Sequence, residues 1–184
     1  DFQDLEAYNL RKDVHVLERA SFVGMTIREY LGLSCPDTAS QRMVGALESV
    51  GLLDTITQLE DGLDTQIAYT GWPLSAVELQ QLKLANALLE QPRILVLSRM
   101  FDLLDEDNLA GAIKELRQQA YSTVIYFSGR RIDLGFDGFL HLEARRQRYF
   151  DNFDEFCAVS SERPRPVAET TRLFPSDPAS AVGE

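Results

Sequence analysis

Two predicted strands end in residues whose chemistry concerns anions. The first, Ile94–Leu97, is a continuous apolar run followed by Ser98 and Arg99, and the second, at 123–127, precedes the arginine pair at 130–131. In α/β proteins that handle phosphates, the positions after such a strand usually carry two acids, because Mg²⁺ and an attacking water need anionic oxygens. A hydroxyl and a permanent cation are poor replacements. The residue types of this segment therefore predict a strand that packs in the core but is not followed by catalytic acids.

The arginines that follow these strands suggest a second kind of site. The carboxyl ends of parallel strands meet at one edge of a sheet, so Arg99, Arg130 and Arg131 could form a basic cluster that binds an anion. The alternative is that they pair with nearby acids, for which Asp102 and Asp133 are the candidates. Ion pairing is the more common role of such arginines.

Composition excludes several classes of function. The 184 residues include 29 acidic and 18 basic ones, which gives a net charge of -11. Such a surface repels nucleic-acid backbones and anionic lipids, so we expect no nucleic-acid partner. Cys35 and Cys157 lie far apart, and the two histidines, His15 and His141, have apolar neighbours. The sequence therefore predicts no metal site and no histidine-based triad.

The order of helix and strand patterns predicts an α/β fold. Strands are predicted at 14–17, 94–97, 123–127, 138–142 and 146–150, the last two as a pair. Helices are predicted from Thr26, at 38–50 and 53–59, from Ser75 to the break at Pro92, at 106–119 and at 152–158. Helices that alternate with buried strands are typical of a mainly parallel sheet flanked by helices.

The domain organisation follows from the same patterns. Residues 1–159 are predicted to form one domain, in which the stretch 26–75 is an inserted helical subdomain; no strand pattern is visible at 26–60. The tail at 160–184 has four prolines and few large apolar residues, so we expect it to be disordered or extended.

Several stretches resemble, in order, the nucleotide-binding domain of ATP-binding cassette (ABC) transporters, particularly exporters. "VLERASFVGMTIREYL" is similar to the glutamine loop and the start of the helical subdomain, and "DGLDT" and "GWPLSAVEL" to the segment that ends in the signature motif. "QQLKLANALL", "PRILVLSR", Leu104-Asp105 and "TVIYFSGRR" match the motifs that follow. The series runs from about Asp4 to Phe156. The resemblance implies a P-loop-NTPase-like (ABC ATPase) fold.

The resemblance also implies which residues occupy the functional positions of the family. Ser98 and Arg99 stand at the positions of the Walker B aspartate and the catalytic glutamate. Gly129 stands at the switch histidine, or Ser128 does if the alignment slips by one residue, and Glu18 stands at the glutamine of the Q-loop. No catalytic residue is expected at these positions.

The signature segment shows a similar loss. Leu74 and Ser75 match the family, but its two glycines are replaced by Ala76 and Val77, and the last position is Glu78. The glycines allow backbone amides to approach a phosphate, whereas a β-branched valine stiffens the loop and a glutamate adds negative charge. These are weak nucleotide-binding positions.

The preserved polar residues also have purely structural explanations. Ser75 before a long helix is an ordinary N-cap, and we favour that interpretation. Asp105, which matches the D-loop of the family, serves equally well as the start of the next helix. Trp72 either faces a partner or packs against the helical subdomain. The basic stretch "EARRQR" is predicted to be a solvated hairpin.

A Walker A motif is missing from the sequence. Its pattern, G-x-x-x-x-G-K-[ST], needs a lysine after a glycine, and Lys12, Lys83 and Lys114 do not follow one. The resemblance implies that the N-terminal part of the fold is absent, so no cofactor is required, and ATP with Mg²⁺ would bind only with an upstream P-loop. Without the strand before a P-loop, a sheet edge is exposed, for which we expect dimers or poor solubility.

Three functions fit these observations. The leading hypothesis is a degenerate, non-hydrolysing cassette domain of an ABC-type exporter that docks onto a transmembrane domain, a second nucleotide-binding domain, or both, at the cytoplasmic face of the membrane. The second is an ATPase domain whose Walker A lies upstream. The third is a soluble regulatory protein that uses the ABC fold, since a fold does not determine a function.

Overall fold

A computed structural model describes residues 13–18, 24–33, 39–118, 123–143 and 146–160. The chain divides into two compact units, Asp1–Phe136 and Asp137–Glu184. Lys12, Cys35 and the predicted tail beyond Ser160 lie outside the described residues. The predicted domain boundary after residue 159 therefore stays a prediction.

The helices and strands follow the predicted order. The strands are β1 (Val14–Leu17), β2 (Met25–Thr26), β3 (Gln66–Ile67), β4 (Ile94–Leu97), β5 (Thr123–Tyr126), β6 (Phe139–Glu143) and β7 (Arg146–Phe150). The helices are α1 (Ile27–Gly32), α2 (Ser40–Ser49), α3 (Leu53–Gln58), α4 (Ala76–Glu90), α5 (Glu106–Gln118) and α6 (Phe153–Ser160), with 3-10 turns at Gly62–Asp64 and Arg99–Leu103.

A parallel three-stranded sheet carries the first unit, as the alternation of helices and strands predicts. Its order is β1-β4-β5, and Leu95 pairs with His15 on one side and Val124 on the other. The face with Leu95 and Leu97 belongs to the buried core, which also contains side chains of α4 and α5. On the opposite face, Val16 and Ile125 are exposed. The described residues leave this face partly exposed, whereas both faces of a parallel sheet are usually covered.

A short ladder that the sequence analysis does not predict borders the stretch 26–60. Met25 pairs with Ile67 and Thr26 with Gln66 in a short antiparallel ladder that joins β2 to β3. Two-residue strands leave no periodicity in a sequence, because a pattern of alternation needs at least four residues. The helical subdomain itself stays a prediction, since residues 1–136 form one compact unit.

Capping residues set the start of two helices in this region. Thr26 accepts a hydrogen bond from the N–H of Glu29 (3.0 Å), and the Glu29 carboxylate accepts one from the N–H of Thr26 (2.7 Å), so the predicted N-cap is confirmed. Ser75 caps α4 in the same way, and α4 ends at Glu90; Gln91, whose backbone is left-handed, and Pro92 follow it. Both caps are reciprocal capping boxes.

Helix α4 is buried more completely than its sequence predicts. The apolar positions 79, 82, 85, 88 and 89 predict one buried face, yet every residue from 80 to 89 is buried. The polar side chains in this run are Gln80, Gln81, Lys83 and Asn86. Because α4 contacts α1, α2, α5 and β1, little of its circumference is left for solvent.

The second unit is a hairpin with a helix. Strands β6 and β7 are antiparallel, and Phe139 pairs with Phe150. The ring of Phe139 lies 5.3 Å from that of Phe153 and 5.5 Å from that of Phe156 in α6. The predicted strand pair and final helix are therefore confirmed.

None of the described helices has the length and apolar character needed to cross a membrane.

Candidate functional site

Asp102 organises the carboxyl ends of β4 and β5. Its carboxylate accepts hydrogen bonds from the Tyr126 hydroxyl (2.5 Å), the Ser128 hydroxyl (2.7 Å) and the Gly129 N–H (2.8 Å). The Arg99 guanidinium lies 4.0 Å away. Three donors and a cation therefore surround one carboxylate, at the edge where the sequence places the candidate anion site.

The ionisation of Asp102 is stabilised by these contacts. Partial burial opposes the charged form, but the hydrogen bonds from Tyr126, Gly129 and Ser128, together with Arg99, outweigh burial and lower the pKa of Asp102. Burial raises the pKa of Tyr126, and its hydrogen bond to Asp102 raises it further. Tyr126 is therefore a neutral donor to an ionised acceptor, a charge-assisted hydrogen bond.

The arginines of the predicted cluster are engaged by the chain itself. Arg130 donates to the backbone oxygens of Asp102 (3.1 Å) and Leu104 (2.9 Å), and its guanidinium lies 3.7 Å from Glu106. The predicted pairing of Arg99 with Asp102 is confirmed. Pairing with Asp133 is not seen for Arg99 or Arg130, and the Asp133 carboxylate accepts the Gly135 N–H (2.9 Å).

Arg99 also covers the residue at the switch-histidine position. A Cβ added to Gly129 would lie 3.0 Å from Cζ and 3.1 Å from Nε of Arg99. The structure therefore brings together Arg99 and Gly129, two of the residues that the resemblance aligns with catalytic positions of the family. A side chain at 129 would have to displace the guanidinium.

Ser98 completes this strand end without a visible role. Its hydroxyl oxygen is buried and has no hydrogen-bond partner among the described residues. A hydroxyl and an arginine do not form the set of anionic oxygens that Mg²⁺ prefers. Within the described ranges, no three histidine, cysteine, aspartate or glutamate side chains are placed to hold a metal ion. Ser98 and Arg99 therefore do not fit a bound Mg²⁺ at this strand end.

The signature segment forms the first turn of α4. The Glu78 carboxylate accepts the Ser75 N–H (2.6 Å), and the Ser75 hydroxyl accepts the Glu78 N–H (3.3 Å). The backbone hydrogen bond from Ser75 is the main cause that lowers the pKa of Glu78, and contacts with the side chains of Ser75 and Thr55 add to it. Leu74 is buried, whereas Ala76 and Val77 are exposed. The preferred N-cap interpretation of Ser75 is confirmed.

Glu18 is held through its backbone by a residue that the sequence analysis does not single out. The Lys83 ammonium donates to the Glu18 carbonyl oxygen (3.1 Å) and lies 3.5 Å from the Gln80 amide oxygen. Burial lowers the pKa of Lys83. A lysine inside a helical apolar pattern was the available clue, because such a side chain is rarely buried without a partner.

Asp105 starts helix α5. Its carboxylate accepts the Asp107 N–H (3.1 Å), and its backbone oxygen accepts the Leu109 N–H (3.0 Å). The structural interpretation of Asp105 is therefore confirmed. Among the described residues, the hydrogen bonds and ion pair of the Asp102 carboxylate involve none of Asp105, Glu18 and the signature segment.

Trp72 does not pack against the helices, so that alternative is wrong. Its side chain is 73% exposed, and Tyr69 in the same loop is 80% exposed. Apolar packing would have removed most of this area from water.

His15 and Glu90 form a further contact that sequence reasoning missed, between β1 and the end of α4.

Two proteins with named functions are similar in sequence to more than half of this chain. The cyclolysin secretion/processing ATP-binding protein CyaB of Bordetella pertussis is 28% identical over 109 residues, which cover 59% of this chain and 15% of that protein. The beta-(1-->2)glucan export ATP-binding/permease protein NdvA of Rhodopseudomonas palustris is 33% identical over 106 residues, or 57% of this chain and 18% of that protein. This chain resembles the nucleotide-binding domain of ABC exporters.

A solved structure supports the ABC ATPase-like fold. A bacterial Atm1-family ABC exporter with ATP bound matches 84% of this chain and 28% of its own, with a TM-score of 0.70 and 19% identity. No protein-family model matches the sequence. The chain spans less than a fifth of the length of the two curated ABC relatives described above.

Proposed function

We propose that this chain is a non-hydrolysing ABC-type cassette domain that acts as a docking or pairing module in transmembrane transport by an exporter. Its partners are a transmembrane domain, a second nucleotide-binding domain, or both, and it works at the cytoplasmic face of the membrane. One observation carries the proposal. Arg99, at the position where the resemblance implies a glutamate, lies beside Asp102 and covers Gly129, where the resemblance implies a histidine.

The strand ends lack the groups that phosphate hydrolysis needs. A general base must accept a proton from water, and the Arg99 guanidinium is always protonated. Asp102 is the nearest carboxylate, yet three donors hold its oxygens. These donors also lower the pKa of Asp102, so its carboxylate is a weaker base than usual and holds the loop instead of a water. Hydrolysis is therefore not expected at this edge.

The start of α4 repeats this arrangement. A helix N-terminus favours anions because its free N–H groups and dipole are positive. Here the Glu78 carboxylate takes the Ser75 N–H at 2.6 Å. A phosphate brought to this turn would meet a carboxylate. At both places where the resemblance implies phosphate contacts, the chain supplies its own carboxylate.

The preserved part of the molecule is the scaffold. The core joins residues of α1, α2, α3, α4, α5 and all three parallel strands, and Lys83 ties α4 to the end of β1. A rigid scaffold with exposed aromatic side chains on one loop suits a docking role. A chain that keeps its core residues but replaces its phosphate contacts shows the pattern expected for a module whose remaining task is to bind protein.

Calorimetric titration of the full chain with ATP, with and without Mg²⁺, tests the proposal. We expect no heat of binding up to millimolar nucleotide and no phosphate release. The double variant Ser98→Asp/Arg99→Glu, which restores the family acids, should also show no phosphate release, because Glu78 and Gly129 are unchanged. Micromolar, Mg²⁺-dependent binding to the natural chain, or hydrolysis that Arg99→Ala abolishes, would contradict the proposal.

A further inference from the structure

Two aromatic rings stand in solvent beside the first turn of α4. They belong to Tyr69 and Trp72, the two most exposed large apolar side chains among the described residues. The N–H of Ala68 donates to the Trp72 carbonyl (2.9 Å), which closes the turn between them. Gly71 in this turn lies against the side chain of Leu79, so the turn rests on α4. The rings are therefore presented by an ordered loop.

Two carboxylates belong to the first turns of α3 and α4. Val77 is exposed and precedes Glu78, whose carboxylate contacts the Thr55 side chain. Thr55 follows Asp54, an exposed residue in the first turn of α3 that forms no ion pair with any described residue. The Gln81 side chain, one turn after Glu78, donates to the Val50 carbonyl oxygen (2.8 Å), and this contact brings the segment before α3 against the start of α4. We call Asp54, Tyr69, Trp72, Val77 and Glu78 the acidic–aromatic surface.

The surrounding sequence has the same sign of charge. The charged residues between positions 39 and 78 are six acids and one base: Glu48, Asp54, Glu60, Asp61, Asp64 and Glu78 against Arg42. Asp64 forms an ion pair with Arg28 (2.7 Å), and the other five acids still outnumber Arg42. Such a stretch creates a negative potential that attracts cations and repels anions. An indole ring binds Arg or Lys on its face more strongly than the other aromatic side chains do. Charge and ring chemistry therefore select one kind of partner.

We propose that the acidic–aromatic surface docks a cationic segment of a partner polypeptide, with an arginine or lysine side chain on the face of Trp72. This inference rests on the proposed function and names the surface through which the module docks. The apolar rings and Val77 provide the area that leaves water, and Asp54 and Glu78 provide the electrostatic attraction. Nucleic acids, anionic lipids and nucleotides are repelled by the same carboxylates.

The emission of Trp72 reports directly on this surface, because it is the single tryptophan of the chain. The probe is a 12-residue peptide of alternating arginine and leucine, and its control replaces each arginine with glutamate. Titration of the full chain should shift and saturate the emission with the arginine peptide alone. Raising the salt concentration from 50 to 500 mM should weaken binding about tenfold, since exposed charges are screened.

Site variants separate this surface from general attraction to an acidic protein. With a dye-labelled peptide and anisotropy as the readout, Trp72→Ala should weaken binding about tenfold and Asp54→Asn about threefold. Trp72→Phe should retain part of the affinity. The matched controls are Tyr149→Ala and Asp154→Asn, an exposed aromatic and an exposed acid in the other unit, which should stay within about twofold of the natural chain.

Equal affinities for Trp72→Ala and the natural chain would overturn the inference, because binding would then follow net charge. A Trp72 emission change that depends on protein concentration without peptide would also overturn it, in favour of a second copy as the occupant. The two proposals fail separately. Mg²⁺-dependent ATP binding refutes the docking-module function whatever the peptide does, whereas loss of peptide binding without ATP binding refutes only this surface.

Discussion

The guanidinium group of Arg99 occupies the space that a side chain at Gly129 would need. The resemblance to ABC exporters places a glutamate and a histidine at these two positions. An arginine that replaces the first residue and a glycine that replaces the second fit together, since a Cβ at 129 would lie 3.0 Å from the Arg99 Cζ. The two replacements are therefore one structural unit rather than two independent losses.

The first prediction tests this unit with a double-mutant cycle. Gly129→His should destabilise the chain more in the presence of Arg99 than in an Arg99→Ala background, because the arginine must move aside. Arg99 is 76% exposed at its side chain, so we expect a coupling of only about 0.5 kcal/mol. Urea unfolding of the four proteins measures it. Gly45→Ala, at a position with open space, should show no coupling to Arg99.

The second prediction concerns Asp102. Asp102→Ala should lower the free energy of unfolding by about 1–3 kcal/mol, because it leaves the hydroxyls of Tyr126 and Ser128 and the N–H of Gly129 without an acceptor. Arg99→Ala should change it by less than about 0.5 kcal/mol, since a 4.0 Å exposed ion pair contributes little. Equal effects of the two variants in urea unfolding would contradict this ranking.

The third prediction follows from the pKa of Asp102. Its pKa is lower in the folded chain than the value of about 3.9 expected when unfolded. The contribution of the ionised carboxylate to stability is thus present above about pH 4 and is lost as the pH falls through the folded pKa. The stability difference between the natural chain and Asp102→Asn should therefore shrink below pH 4. A constant difference between pH 7 and pH 3 would disprove it.

The fourth prediction separates the two explanations of Ser75. Ser75→Ala should lower the free energy of unfolding by about 1 kcal/mol through loss of the N-cap of α4. Ser75→Asp, which keeps a capping acceptor, should retain most of the stability. Neither variant should alter calorimetric titrations with ATP. Loss of nucleotide binding in Ser75→Ala, at unchanged stability, would instead favour a phosphate contact.

The fifth prediction concerns the partly exposed face of the sheet. Ile125 and Val16 are exposed apolar residues on that face, and Phe127 is exposed just after β5. Ile125→Lys should reduce self-association, because a charge on an exposed strand opposes pairing with another chain. Light scattering over a concentration series measures the effect. Thr123→Lys, where the natural residue is already polar, serves as a control and should change self-association less.

Much of the fold is predictable because its determinants are local. Apolar runs at Ile94–Leu97 and 123–126, and caps at Thr26 and Ser75, each act within a few neighbouring residues. The short ladder that pairs Met25 with Ile67 was missed, since its partners are distant in the sequence and each strand is too short for a periodic pattern.

The sequence by itself determined the order of helices and strands and which residues stand where the resemblance implies phosphate contacts. Only the tertiary structure decided what fills their places. Sequence reasoning named Asp102 as a partner of Arg99, but its acceptance of Tyr126, Ser128 and Gly129 depends on how β4 and β5 lie together. Lys83 meets Glu18 across 65 residues, and the exposure of Trp72 depends on the turn that holds it. Contacts between distant residues depend on packing in three dimensions, which no local pattern contains.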